Sequence, residues 1–79
     1  MTDIIVYTQN ECPPCQIVKM FLKEYKFSFT EKNIHNDNQS RLQLTDLYGS
    51  YSTPTIVVGN EVIIGFDLEK LKKVLNIEQ

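Results

Sequence analysis

Ile4-Ile5-Val6-Tyr7-Thr8-Gln9-Asn10-Glu11-Cys12-Pro13-Pro14-Cys15 is the stretch on which the reading of this chain turns. Residues 3–7 are mostly β-branched and aromatic, and such a run reads as a strand buried on both faces. Residues 8–14 read as a loop. Proline is tolerated in the first turn of a helix and nowhere deeper. A helix is therefore predicted from about Pro13. Ile17, Val18, Phe21, Leu22 and Tyr25 give it an apolar face at helical spacing. Cys12 thus stands just before a helix, and Cys15 one turn inside it.

Outward from this unit, Phe27-Ser28-Phe29-Thr30 alternates and predicts a second strand. Asn33 to Asn38 is polar and turn-like, with Asp37 or Asn38 available as a helix N-cap. Leu44, Leu47 and Tyr48 predict a short second helix, ended by Gly49. Residues 55–58 and 61–64 are two short strands joined at Gly59-Asn60, a two-residue hairpin signal. Gly65 breaks the second of these. Leu68, Leu71, Val74 and Leu75 then form the apolar face of a last helix, with Asp67 near its start. The order is β-α-β-α-β-β-α. Two strands joined through a helix imply a parallel pair with a right-handed crossover. The expected fold class is α/β: a four-stranded mixed sheet with helices on both faces.

Size and charge narrow the function. With 79 residues the chain has room for one core, so residues 1–79 are expected to be a single domain. The longest apolar run, Ile4 to Tyr7, is far shorter than the roughly 18 residues that a membrane span needs. No basic-then-apolar leader opens the sequence, and neither a signal peptide nor a membrane segment is expected. The net charge of −2 comes with scattered Lys and Arg, apart from Lys70, Lys72 and Lys73. Nucleic-acid binders show a basic stripe, so no nucleic-acid partner is expected.

The two cysteines are three positions apart. A disulfide between them closes almost no loop and gains little as a structural brace. The pair reads as chemical, in a reducing compartment and hence the cytoplasm. At a helix start, unpaired N–H groups and the macrodipole favour a thiolate, and the thiolate is the nucleophile. Cys12 is therefore the expected attacking sulfur and Cys15, more buried, the resolving one. Pro13 and Pro14 bring no N–H, so the Cys15 amide is the donor left for the Cys12 sulfur. Glu11 next door also opposes a thiolate. A Cys12 pKa lowered only moderately, to about 6–7.5, is expected, and with it a reductant. The competing reading is half of a zinc or iron–sulfur site. It lacks ligands within one chain, His35 being the single histidine, and it requires a site shared between two chains. No metal is assigned.

Val6-Tyr7-Thr8 leading into Cys12-Pro13-Pro14-Cys15, then Thr53-Pro54-Thr55, then Gly65-Phe66-Asp67 follow one another in an order and spacing that resemble glutaredoxins. Their close relatives, the NrdH-type redoxins of the thioredoxin superfamily, are similar too. The resemblance covers nearly the whole chain and implies a thioredoxin fold in its minimal form. It implies a thiol–disulfide oxidoreductase and electron carrier serving cell redox homeostasis, with a cis Thr53–Pro54 bond facing the reactive cysteine. Thr53 would then pair its backbone with the incoming peptide or glutathione. Gly65, Phe66 and Asp67, at the start of the last helix, would hold the γ-glutamyl end of glutathione, Asp67 being equally readable as an ordinary helix cap.

No tightly bound cofactor is implied, and glutathione is a possible co-substrate. The implied partners are a disulfide-bearing protein or glutathione mixed disulfide, and a reductase. That reductase belongs either to the glutathione system or, as for NrdH-type redoxins that supply ribonucleotide reductase, is thioredoxin reductase. A monomer is expected. Glutaredoxins commonly carry a lysine a few residues before the first cysteine. Here Gln9, Asn10 and Glu11 stand instead, and Leu68 replaces a frequent second acid. Arg41 is a further candidate for a glutathione carboxylate, and Tyr51 for the groove wall. Tyr7 and Tyr48 are expected in the core, and His35 in solvent.

Overall fold

The computed structural model describes residues 3–77. The chain runs β1 (Ile4–Thr8), α1 (Pro13–Glu24), β2 (Thr30–Asn33), α2 (Asn38–Tyr48), β3 (Thr55–Val58), β4 (Glu61–Ile64) and α3 (Leu68–Leu75). The four strands form one sheet in the order β2-β1-β3-β4. β1 and β2 are parallel, while β1 with β3 and β3 with β4 are antiparallel. This is the expected β-α-β-α-β-β-α mixed sheet.

Alternation along the strands splits the core into two layers. Ile4, Val6, Ile56, Val58 and Ile63 point to one face and pack with Val18 and Leu22 of α1 and Leu71 of α3. Tyr7 and Val57 point to the other, where Leu44 of α2 and Ile34 cover them. The register Val6↔Ile56↔Ile63 keeps each layer's side chains in line across three strands. Helices therefore cover both faces, α1 and α3 on one and α2 on the other. Among the described residues no helix is long and apolar enough to cross a membrane.

Local signals fix the element ends. Pro13 and Pro14 open α1. Asp37 caps α2, its carboxylate accepting from the Gln39 N–H at 3.2 Å, and Gly49 ends that helix in the left-handed conformation. Asp67 caps α3 through the Lys70 N–H at 3.0 Å.

The second strand departs from the sequence reading. It spans Thr30–Asn33 rather than 27–30, so Asn33 belongs to a strand and not to the turn. Phe27 and Phe29 lie before the pairing and pack onto the α1 layer. β2 is an edge strand with one neighbour, and edge strands tolerate charge where central ones do not. Glu31 points to the α1 face, where it meets Lys19 at 2.9 Å. Lys32 points to the α2 face, donating to Gln43 at 2.9 Å and standing over the Tyr7 ring at 5.9 Å. Hydrophobic alternation marked the flanking Phe pair instead. Three apolar-face assignments also fail, Tyr25 at the end of α1 being 40% exposed. Ile17 and Leu47 are likewise exposed, because α1 and α2 each pack only one side on the sheet.

Candidate active site

Cys12 is the N-cap of α1, and its Sγ accepts the Cys15 N–H at 3.3 Å. The prolines at the next two positions have no N–H to offer, so the Cys15 amide is the donor that reaches the sulfur. The two cysteines are joined as a disulfide, with Cα atoms 5.3 Å apart. Cys12 keeps 8% of its surface exposed and Cys15 none. The depth difference expected from the helix position is present: α1 carries Cys15 inward beside Val18, while Cys12 remains at the mouth.

Thr53 faces the pair from 41 residues away. Its Oγ1 lies 3.7 Å from the Cys12 Sγ, and the Thr53–Pro54 bond is cis. Pro54 is buried. Its carbonyl accepts the Gly65 N–H at 2.8 Å, which draws the third motif to the second. Gly65 holds φ +86, a left-handed turn that ends β4 and sends the chain toward α3. Cys12, Thr53, Pro54 and Gly65 thus form a continuous line across the end of the sheet. Phe66 is half exposed and Asp67 is exposed. One Asp67 oxygen already caps α3.

Two depressions open at this end. One, of about 630 Å³, is lined by Glu11, Cys12, Pro13, Gln16 and Ile17. The other, of about 420 Å³, is lined by Gln9, Ile34, Arg41, Leu44, Thr45 and Tyr51. Arg41 and Tyr51 therefore line the same depression, which does not include Cys12. Tyr7 is buried, and burial holds its phenol above its ordinary pKa, with Tyr48 adding to the shift. The two rings meet at 5.8 Å. His35 is exposed, and its backbone N–H donates to the Asn33 side-chain oxygen at 2.9 Å. Among the described residues no three of His, Cys, Asp and Glu converge on a common point.

Sequence reasoning missed the device that holds the Thr53 loop. Ser50 and Thr55 are buried, and their hydroxyls lie 2.9 Å apart. Thr55 Oγ1 donates to the Ser52 carbonyl at 2.7 Å, and the Ser52 N–H donates to Ser50 Oγ at 3.3 Å. The loop between them is closed on itself by hydroxyls. The only hint was the density of Ser and Thr around Pro54. Thr8, at the end of β1, is also buried and donates to Glu31 at 2.8 Å.

The comparisons with known proteins agree with this geometry. The chain is 47% identical to a thioredoxin-like protein, BC3987, whose T8A mutant structure superposes with a TM-score of 0.91 over 94% of this chain and 100% of that one. A glutaredoxin from Archaeoglobus fulgidus is 28% identical, with a TM-score of 0.81 over 95% of this chain and 87% of that one. The glutaredoxin-like protein NrdH of Lactococcus lactis is 29% identical over 70 residues, 89% of this chain and 96% of its own length. The glutaredoxin family profile matches residues 4–63, a span from the first strand to the last that includes the cysteine pair and the Thr53–Pro54 loop. With the thioredoxin-type sheet and a cysteine pair at the mouth of α1, this chain belongs to the glutaredoxin family and is a thiol–disulfide oxidoreductase.

Proposed function

We propose that the protein is a reducing dithiol carrier, with Cys12 as nucleophile and Cys15 as resolving thiol. The observation that carries this is the unequal depth of the two cysteines, 8% against 0% exposed, at a helix N-terminus. The Cys12 thiolate attacks one sulfur of a substrate disulfide. That S–S bond breaks, one substrate thiolate leaves, and Cys12 becomes joined to the other half. Cys15 then gives up its proton and attacks the Cys12 sulfur, releasing the second substrate thiolate. The substrate has gained two electrons, and the Cys12–Cys15 disulfide remains.

Thr53 presents its backbone to the substrate segment like an added strand. Pro54, with no N–H, keeps a competing donor away from the sulfur. Gly65, Phe66 and Asp67 form the docking edge beside them, and Pro13 and Pro14 limit thiolate stabilisation. The carrier serves protein disulfides or glutathione mixed disulfides as a monomer in the cytoplasm, with no bound cofactor.

Reduction of insulin or hydroxyethyl disulfide tests the activity. Cys12→Ser abolishes turnover, whereas Cys15→Ser accumulates a mixed disulfide on Cys12. Intact turnover in Cys12→Ser overturns the assignment. Similarity to the lactococcal NrdH supports a second reading of the electron source, thioredoxin reductase. Gln9, Asn10 and Glu11 where glutaredoxins commonly carry a lysine, which removes a partner for a glutathione carboxylate, support it too. Reduction of the oxidised protein by thioredoxin reductase with NADPH, compared with glutathione and glutathione reductase, decides between the two.

A further inference from the structure

Glu11 holds a left-handed backbone, φ +55, directly before Cys12, a conformation that long side chains rarely adopt. It is exposed, and among the described residues no hydrogen bond or ion pair engages its carboxylate. It shares the depression of about 630 Å³ with Cys12, Pro13, Gln16 and Ile17, and is the one charged residue in that lining. Cys12 therefore lines a depression whose only charge among the described residues is the Glu11 carboxylate. Neither Lys19 nor Arg41 lines that depression. Lys19 is paired with Glu31 at 2.9 Å, and Arg41 lines the separate depression beside Tyr51.

We propose that Glu11 is a specificity-determining residue for the thiol that attacks the disulfide. Its carboxylate slows thiolates that carry further negative charge and favours those that carry a cation. The electron donor for this protein is then a thiol flanked by Lys or Arg rather than by carboxylates. This rests on the reading of Cys12 as the entry sulfur.

The step balances as two exchanges. A donor thiolate attacks Cys12 Sγ, the Cys12–Cys15 bond breaks, and the Cys15 sulfur leaves and takes a proton from water. A second donor thiolate attacks the donor sulfur of the mixed disulfide and releases Cys12. Two donor thiols become one donor disulfide, and the protein gains two electrons and two protons. A unit charge beside a reacting group alters such a rate about two- to five-fold at low ionic strength.

The test measures second-order rate constants for reduction of the oxidised protein by 2-mercaptoethanesulfonate, 2-mercaptoethanol and cysteamine. These thiols are anionic, neutral and cationic in turn. Removing the charge shifts the intrinsic reactivity of the disulfide alike for all three, so ratios to 2-mercaptoethanol carry the test. Glu11→Gln raises the ratio for the sulfonate about two- to five-fold and lowers that for cysteamine by a similar factor, while Glu11→Asp keeps the wild-type ratios. The differences vanish at about 1 M salt, where the screening length is about 3 Å. Ratios unmoved by Glu11→Gln at low salt, or changes that persist at high salt, overturn the proposal. Adduct formation with the oxidised thiols, compared by mass mapping between Cys15→Ser and Cys12→Ser, separates the two claims, and Cys12 is expected to react faster. An adduct on Cys12 that forms no faster than one on Cys15 sinks the entry-sulfur reading. A faster one with unmoved ratios sinks the charge proposal alone.

Discussion

Cys12 illustrates how little is needed to differentiate two identical side chains. Both cysteines belong to the same helical turn, yet one caps the helix with its sulfur while the other is buried under it. The Cys15 amide is the donor that reaches the Cys12 sulfur, and the two prolines withhold theirs. The expected outcome is a Cys12 pKa of about 6–7.5, read from thiolate absorbance in Cys15→Ser. A value below about 5 contradicts it. Gly65 is the second residue whose chemistry is decided by its backbone. No atom lies within 4 Å of where its Cβ would sit, but φ is +86. Gly65→Ala is expected to cost about 1–2 kcal/mol in urea unfolding, from conformation alone. A neutral result would mean that the turn relaxes and that the Pro54 carbonyl does not hold it.

Among elements, the loop from Ser50 to Thr55 is the one on which site geometry depends. It carries Thr53 to within 3.7 Å of Cys12 and is clamped by buried hydroxyls. A buried polar group left without its partner costs about 1–3 kcal/mol. Thr55→Val keeps the shape and removes one hydroxyl, and should lower the unfolding free energy by about 1–2 kcal/mol. Thr55→Ser, which keeps the network, should recover most of that loss. Equal stability of the two variants would show that the clamp contributes nothing. β2 makes the complementary point. Thr30-Glu31-Lys32-Asn33 has no apolar alternation, and it is a strand because β1 offers it a parallel partner.

Across the molecule, the charges of the edge strand tie the sheet to its helices. The hydrogen bond from Lys19 holds the Glu31 carboxyl below its ordinary value of 4.5, and Thr8 adds to this. A depressed carboxylate contributes stability that is fully present above the unfolded pKa and lost as pH falls through the folded one. Glu31→Gln is therefore expected to weaken the fold at pH 7 and to flatten the acid limb of the stability profile below about pH 4.5. The side chain is 37% exposed, so solvent screening limits the loss to below about 1 kcal/mol. Urea titrations from pH 7 to pH 3 check both parts. An acid limb identical to wild type removes Glu31 from the account.

Much of this protein is written in local physics. Pro13 can stand only in a first turn, Gly49 accepts a left-handed end, and Gly59-Asn60 joins two short apolar runs. These place α1, α2 and the β3–β4 hairpin, and with α1 they place Cys12 at its mouth. The Thr53–Pro54 and Gly65 motifs were legible through resemblance to a family, since nothing local in them points at a sulfur. Their convergence on Cys12 needed the folded sheet. Pairing of β1 with β3 brings residue 53 beside residue 12, and a single hydrogen bond from Gly65 to Pro54 adds the last motif. The polar edge strand was likewise settled by its pairing with β1, and the Ser50–Thr55 pair by its burial under the rest of the chain. Side-chain period and turn chemistry act within a few residues, whereas strand partnership, burial and the direction a charge faces depend on what the rest of the chain brings alongside.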